Sequence, residues 1–412
     1  MPEATIMPEA TILQVVPRLD AGGTERAAIE ISQALTLAGA RALVATEGGR
    51  MATELAEAGG EIVPFPVASK SPVTILANAL RLAKLIEERG IDLVHARSRA
   101  PAWSALLAVR RTGRPFVTTY HGSYGEPGPL KRVYNSVMGR GDRVIANSCY
   151  TARLIAFRHR ATQDRTRVIY RGVDEQIFDA SAVAPEAVAK LRSRWGLSPE
   201  TKIVLQAARL TRPKGHSQTI EAARLLNDEG ALDDTVIVFA GDAQDKSAYR
   251  QELLTLIGRY GLEGKVRLVG HCQDMQTAFL SAYVALVPSL MPETFGRTSI
   301  EAQAMGCPVI LFDLGALPET IVSPEQDQSG FTGWLVPPGD ATALAGRIKR
   351  ALNLAPDART ALGARARQHV TAKFSLHQMQ LATLAVYDEL LGTRLSARFE
   401  ERSPAFPPPG SR

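Results

Sequence analysis

Cysteine is scarce in this chain of 412 residues. Cys149, Cys272 and Cys307 are the only three, and no two stand at the spacing of a metal-binding pair. Neither a zinc site nor a disulfide framework is expected, and a reducing cytoplasm fits best. Long apolar runs are missing too: no uncharged stretch approaches the ~20 residues that cross a bilayer. The start lacks a basic region followed by an apolar one, so it does not read as a signal peptide. The hexapeptide MPEATI at 1–6 recurs at once at 7–12. We take it as a duplicated or misassigned start and exclude residues 1–8 from the fold. Also absent are the GxGxxG and GxxxxGKS/T fingerprints, which speaks against a nicotinamide dehydrogenase. The pair Asp233-Asp234 precedes a strand, the wrong end for a metal site, and no metal is expected. No basic motif is interleaved with aromatics, so nucleic acid is not the expected partner.

What remains is an ordinary globular composition, 45% hydrophobic and 22% charged, on a chain long enough for two domains or three. The net charge of +6 is unevenly placed. Residues 97–171 hold 15 Lys and Arg against 3 Asp and Glu, a net of +12 that leaves the remainder at −6. Such asymmetry points to an acidic partner surface.

Apolar runs alternate with helical periodicity along the chain. Strands are predicted at 12–16, 42–45, 62–65, 91–95, 115–120 and 143–146, with helices at 24–38, 55–59, 73–89, 101–111 and 129–138 between them. The pattern breaks over 176–200, around Pro185 and Ser198-Pro199, and restarts with strands at 202–207, 235–240, 265–269, 284–287, 308–311 and 333–336. Helices at 341–353 and 375–391 follow. Continuous apolar strands alternating with helices argue a parallel sheet covered on both faces. The fold class is therefore α/β, with two Rossmann-like doubly wound domains, 9–175 and 201–372, joined by an interdomain passage at 176–200. Residues 396–412, rich in Pro and Gly from 402 on, are expected to be a disordered tail.

Ligands of open α/β sheets bind beyond the carboxyl ends of the strands, so the loops there carry the candidates. Gly22 and Gly23 follow the first strand and open a helix, where a backbone can approach a phosphate closely; alone, such a pair can equally make a turn. Arg209 and Lys214 follow strand 202–207, and two cations five residues apart suit a diphosphate. The sharpest signal is Pro292-Glu293-Thr294-Phe295-Gly296, then Glu301, then Gly306-Cys307-Pro308-Val309. Glu293 lies on a strand-end loop and Glu301 about two turns into the next helix. Carboxylates accept hydrogen bonds from paired sugar hydroxyls, and Gly296 opens a helix N-terminus, where anions bind.

This Glu-x7-Glu block, with Phe-Gly inside it and Gly-x-Pro-Val after it, resembles the family-4 retaining glycosyltransferases of GT-B fold, of bacterial lipopolysaccharide and exopolysaccharide type. The likeness extends over nearly the whole chain, through Gly22–Arg26, Asp92–His95, Thr119–Gly122, Ala146–Ser148, Gly172–Asp174, Arg209–Gly215 and Gly333–Val336. It implies two domains facing a central cleft, with the helix within 373–395 crossing back onto the N-terminal domain. It implies that Glu293 holds sugar hydroxyls, Glu301 the ribose, and Arg209 with Lys214 the diphosphate. Gly23 would lie against the donor and His121 beside the anomeric carbon, with backbone N–H groups of Phe295 and Gly296 capping sugar or phosphate. Catalytic candidates are thus His121, Arg209, Lys214 and Glu293, and donor-binding ones Gly22, Gly23, Arg209, Lys214, Glu293, Phe295, Gly296 and Glu301. One departure is Ala208, where the family often has glycine.

The activity implied is transfer of a hexose-type sugar from a nucleotide-sugar donor to a glycan or lipid-linked acceptor, in cell-surface polysaccharide or lipopolysaccharide biosynthesis, without a cofactor. A nucleotide-sugar epimerase of the same fold and a non-catalytic GT-B partner protein stay open. Cations beside apolar residues in 97–171, among them Leu130–Val133 and Leu154–Phe157, suit an anionic membrane surface. The expected location is cytoplasmic, peripheral on the inner face of the membrane. His95 reads as structural.

Overall fold

Among the described residues, thirteen short strands take their positions from runs that are apolar almost throughout, as a sheet covered on both faces requires. The computed structural model describes residues 9–20, 22–125, 128–243 and 247–403. The duplicated start at 1–8 and the Pro-rich end at 404–412 lie outside them.

The first seven strands are β1 (Thr11–Val15), β2 (Arg41–Thr46), β3 (Gly60–Pro64), β4 (Leu93–Ala96), β5 (Phe116–Tyr120), β6 (Arg143–Ala146) and β7 (Thr166–Val168). They form one parallel sheet in the order β3-β2-β1-β4-β5-β6-β7. Alternate side chains feed opposite layers: Leu13 and Val15 pack with Leu82, Leu106 and Tyr120, while Ile12 packs with Ile31, Leu35 and Tyr387. The remaining six are β8 (Lys202–Ala207), β9 (Thr235–Ala240), β10 (Val266–Gly270), β11 (Val284–Val287), β12 (Val309–Phe312) and β13 (Gly333–Val336), in the parallel order β10-β9-β8-β11-β12-β13. Here Val204, Ile310 and Phe312 face one core and Ile203, Val309 and Leu311 the other.

The chain divides into two compact units. Arg171–Ser375 is one; the residues before it, together with those from Leu376 on, make the other. Helix Leu376–Leu391 belongs to the first-sheet unit, where Met379, Leu384, Val386 and Tyr387 are buried against Ile12 and Ile31. Glu389 also accepts from Arg143 of β6 and, at 2.9 Å, from Arg167 of β7.

Three expectations are corrected. The first domain ends at Tyr170 rather than 175. The stretch 176–200 is not a passage but part of the second unit. Its helix Pro185–Arg194 and the following turn bury Leu191, Trp195 and Leu197 against Ile203, Val236 and Phe279, an apolar set too sparse to stand out from a polar helix. The segment after 395 is ordered as far as Ser403. Helix Leu395–Arg402 buries Leu395 and Phe399, and Phe399 stacks on His377 at 5.0 Å. Two further helices, Cys149–Arg158 and Pro356–Lys373, were not anticipated.

Candidate functional site

Each sheet changes direction of winding once, between β1 and β4 and between β8 and β11. At such a switch point the loops on either side part and leave a crevice beyond the carboxyl ends of the strands. The sequence candidates fall at this end of both sheets.

In the second unit the crevice between β8 and β11 is built from two loops that hold each other. Leu290 N–H donates to Pro213 O at 2.8 Å. Buried Gln206, on β8, donates through Nε2 to Lys214 O at 2.7 Å and accepts from Thr219 at 2.7 Å. This fixes the backbone that carries Lys214. Gly215 follows with φ +72°, and a Cβ there would stand 1.9 Å from Pro288 O, so only glycine lets the β8 loop press on the β11 loop. His216, the next residue, is buried edge-on against Phe239 at 5.0 Å. Burial holds its imidazole down at about 4, so it is a neutral anchor at physiological pH.

These loops bring Lys214 and Glu293 together: Nζ donates to Oε1 at 2.7 Å. Ser289 Oγ donates to the same oxygen. Lys214, Ser289, Glu293 and Thr298 line one small pocket with the ends of β8 and β11. Glu293 is also held through its backbone, since Ala316 N–H donates to Glu293 O at 2.9 Å. Gly296, with φ +99°, is the N-cap of helix Arg297–Ala304, whose first turn carries no acidic residue. The positive end of that helix is thus not offset by a carboxylate of its own; the Glu293 carboxylate lies beside Gly296 instead. One turn in, Arg297 donates from Nε to Glu301 at 3.3 Å.

Lys214, Glu293, Gly296 and Glu301 therefore share the two loops and the helix at one switch point. Arg209 stands on the same β8 loop with its side chain exposed and forms no ion pair among the described residues. The Phe295 side chain is buried, edge-on to Phe374 at 5.6 Å, so only its backbone is left for a ligand. Ser289 and Arg297, which touch the two glutamates, were missed. Ser289 closes the run Val287-Pro288-Ser289, and Arg297 is one turn ahead of Glu301, so spacing could have suggested both.

In the first unit Gly22 is the N-cap of helix Gly23–Leu37, and His121 directly follows β5. Both lie at the carboxyl end of the parallel sheet. His95 is structural, as expected: fully buried, it bridges Tyr387 Oη at 2.6 Å and Thr119 Oγ1 at 2.7 Å.

Residues 21–177 match the family described as Glycosyltransferase Family 4, and residues 188–369 match Glycosyl transferases group 1. A crystal structure of a glycosyltransferase from Rickettsia africae is 33% identical, with a TM-score of 0.84 over 93% of this chain and 98% of that one. Anabaena HepE, solved in complex with UDP-glucose, has a TM-score of 0.79 at 23% identity, over 92% of this chain and all of its own; that likeness concerns the fold. The D-inositol 3-phosphate glycosyltransferase 1 of Catenulispora acidiphila is 29% identical over 72% of either protein. The chain belongs to the GT-B glycosyltransferases, with a family-4 domain followed by a group-1 domain, and is a glycosyl-transferring enzyme.

Proposed function

We propose that the enzyme moves a hexose-type sugar, with retention of configuration, from a nucleotide-sugar donor to a glycan or lipid-linked acceptor. Its place would be the assembly of cell-surface polysaccharide or lipopolysaccharide at the inner face of the membrane. The observation that carries this reading is the contact of Lys214 with Glu293 at the β8/β11 switch point. In a nucleotide sugar the sugar's hydroxyls and the diphosphate's charge meet at the anomeric carbon. A cation and a carboxylate in contact suit that junction, the carboxylate for hydroxyls and the cation for phosphate. HepE, of the same fold, was solved with UDP-glucose, which supports this donor class.

The hard step is cleavage of the bond between the anomeric carbon and phosphate oxygen, when charge builds on the departing diphosphate. Arg209 and Lys214 would meet that charge, and fixed groups aimed at a developing anion lower the barrier without reorganising. The backbone N–H groups at Phe295 and Gly296 add the helix's positive end. Glu293 would hold the sugar and Glu301 the ribose, steadied by Ser289 and Arg297. On the first unit, Gly22, Gly23 and His121 are assigned to the reacting-carbon and acceptor side. With two cations placed for the diphosphate, the reaction needs no divalent metal in this proposal.

The test is a thermal-shift panel of UDP-, GDP- and ADP-sugars, followed by transfer assays with the donor that binds. One nucleotide class is expected to stabilise the protein by about 2.7 kcal/mol at a hundredfold excess over Kd, and turnover is expected to require an acceptor and survive EDTA. No stabilisation by any nucleotide sugar would refute the reading; turnover without acceptor would make the enzyme an epimerase.

A further inference from the structure

A residue with a Cβ is strained at positive φ, and such residues collect where a site needs a fixed backbone. Among the described residues Tyr124 is the one non-glycine residue of this kind, with φ +25°. It stands in the first unit on the loop after β5, three residues beyond His121.

This loop is held at every residue from Gly122 to Gly125. The Tyr124 ring folds back over Gly122, the residue next to His121: a Cβ added at Gly122 would stand 2.9 Å from Tyr124 Cε1. The ring also packs on Tyr120, the last residue of β5, with centroids 4.9 Å apart. Tyr120 is fully buried, and its Oη lies 3.1 Å from His159 Nε2. Arg99 Cζ stands 4.3 Å from the centroid of the Tyr124 ring, a cation on an aromatic face. Arg99 opens helix Arg99–Thr112 after β4, the neighbour of β5 in the sheet.

The partners of the loop are themselves fixed. Arg99 donates to Asn135 Oδ1 at 2.8 Å, and fully buried Asn135 donates through Nδ2 to Gly125 O at 3.2 Å. Arg158 donates to Ser123 O at 2.7 Å. It ends helix Cys149–Arg158, which is anchored by Ile155. The expectation that Leu154 and Ile155 face outward is corrected here: Ile155 is fully buried and Leu154 half-buried.

Packing alone does not call for this conformation, because a half-buried ring can be packed from ordinary backbone. What the left-handed turn does is bring the ring back onto the residue beside His121. We infer that Tyr124 is a positioning residue for the transfer reaction: its ring, held against Tyr120, Gly122 and Arg99, fixes the backbone that carries His121 and so sets that imidazole at the reacting carbon. The inference rests on the role given to His121 under the proposed function. Displacement of a reacting group by about 1 Å can cost on the order of 10²-fold in rate, so a rigid loop at this point has a kinetic purpose.

The experiment is a double-variant cycle. Its readout is release of nucleoside diphosphate from the UDP-, GDP- or ADP-sugar that binds, with water as the acceptor, beside a melting curve and the donor's thermal shift. Tyr124→Leu fills the space without a flat ring. It should lower kcat about 10- to 10²-fold while donor KM stays within about twofold, the pattern of a group that acts in the transition state alone. Melting temperature and donor thermal shift should be those of the wild type. Tyr124→Phe, which keeps a ring under the Arg99 cation, should recover kcat to within about threefold of wild type. Arg99→Gln should show the same split in smaller measure, and it serves if Tyr124→Leu does not fold. In a His121→Ala background neither change should lower kcat further, because each acts through the imidazole already removed. Losses that multiply in the cycle would overturn the inference and leave the role of His121 standing. So would a kcat unchanged in Tyr124→Leu and Arg99→Gln, or a Tyr124→Phe as slow as Tyr124→Leu. Full kcat in His121→Ala would refute the role given to His121 itself, and the inference with it.

Discussion

Lys214 Nζ and Glu293 Oε1, 79 residues apart in sequence, meet at 2.7 Å where β8 and β11 separate. Each comes from a loop that glycine and buried hydrogen bonds hold in place, so the pair is positioned before any ligand arrives. Lys214→Ala is expected to lower kcat/KM for donor turnover by about 10²–10³, the usual cost of one lost contact to a developing anion. Glu301→Gln should weaken donor binding as well. Neither should shift the melting curve by more than a few degrees, because both side chains reach solvent. Steady-state kinetics beside a circular-dichroism melt checks both parts.

Ser289 offers a finer test. Its hydroxyl donates to the Glu293 oxygen that Lys214 also reaches. Removing it with Ser289→Ala takes away a hydrogen bond to a charged group, worth about 1.5–3 kcal/mol. Donor KM or Kd should rise about tenfold or more while the fold is kept. If Glu293 holds no ligand, the change should leave affinity alone.

Gly215 should tolerate nothing larger. Gly215→Ala puts a methyl 1.9 Å from Pro288 O on a backbone with φ +72°. The two loops must then separate, at a cost on the order of 3 kcal/mol. Donor binding and thermal stability should fall together, in contrast to Lys214→Ala, where only function falls.

The candidate residues were legible as strand-end positions. Arg209, Lys214 and Glu293 lie on the loops that follow the apolar runs of β8 and β11, and parallel α/β sheets place their ligands there. What spacing could not provide was the path of the loops, which sets Ser289 against Glu293 and Arg297 against Glu301. The fold was legible where apolar residues were dense. It was missed where a few large side chains do the burying: Leu191, Trp195 and Leu197 in 176–200, Leu395 and Phe399 beyond the last anticipated helix. Helix Pro356–Lys373 escaped because its buried face is made of Leu362, Gly363, Ala366 and Val370, mostly small residues that form no apolar stripe.

The returning helix Leu376–Leu391 should be held by more than apolar contact. Tyr387 Oη lies 2.6 Å from His95 Nδ1 in a fully buried setting, and burial pushes the phenol up to about 12. Tyr387→Phe leaves one imidazole nitrogen without that partner, at a cost of about 1–3 kcal/mol. A lowered melting temperature with unchanged donor binding is expected. An unchanged melting temperature would mean that the helix does not depend on this contact.

Glu175 gives a pH dependence. Burial, with Asp174 adding to it and Arg367 opposing, pushes its carboxyl up from near 4.5 to about 7. A raised carboxyl holds its proton longer in the folded state than in the unfolded chain. Its contribution is therefore complete below pH ~4.5, declines as pH rises toward about 7, and is gone above. Glu175→Gln should flatten this slope, raising the melting temperature at pH 8 while leaving it unchanged at pH 4.5. A parallel pair of pH–melting curves would contradict the assignment.

Calorimetric titration of the nucleotide sugar identified by thermal shift, into wild-type protein and into Arg209→Ala/Lys214→Ala, tests the central claim most directly. If the β8/β11 crevice clamps the diphosphate, the double variant should stay folded and lose at least about a hundredfold in affinity, the cost of two charge-assisted contacts. Equal affinity in the two proteins would contradict it and would place the donor elsewhere.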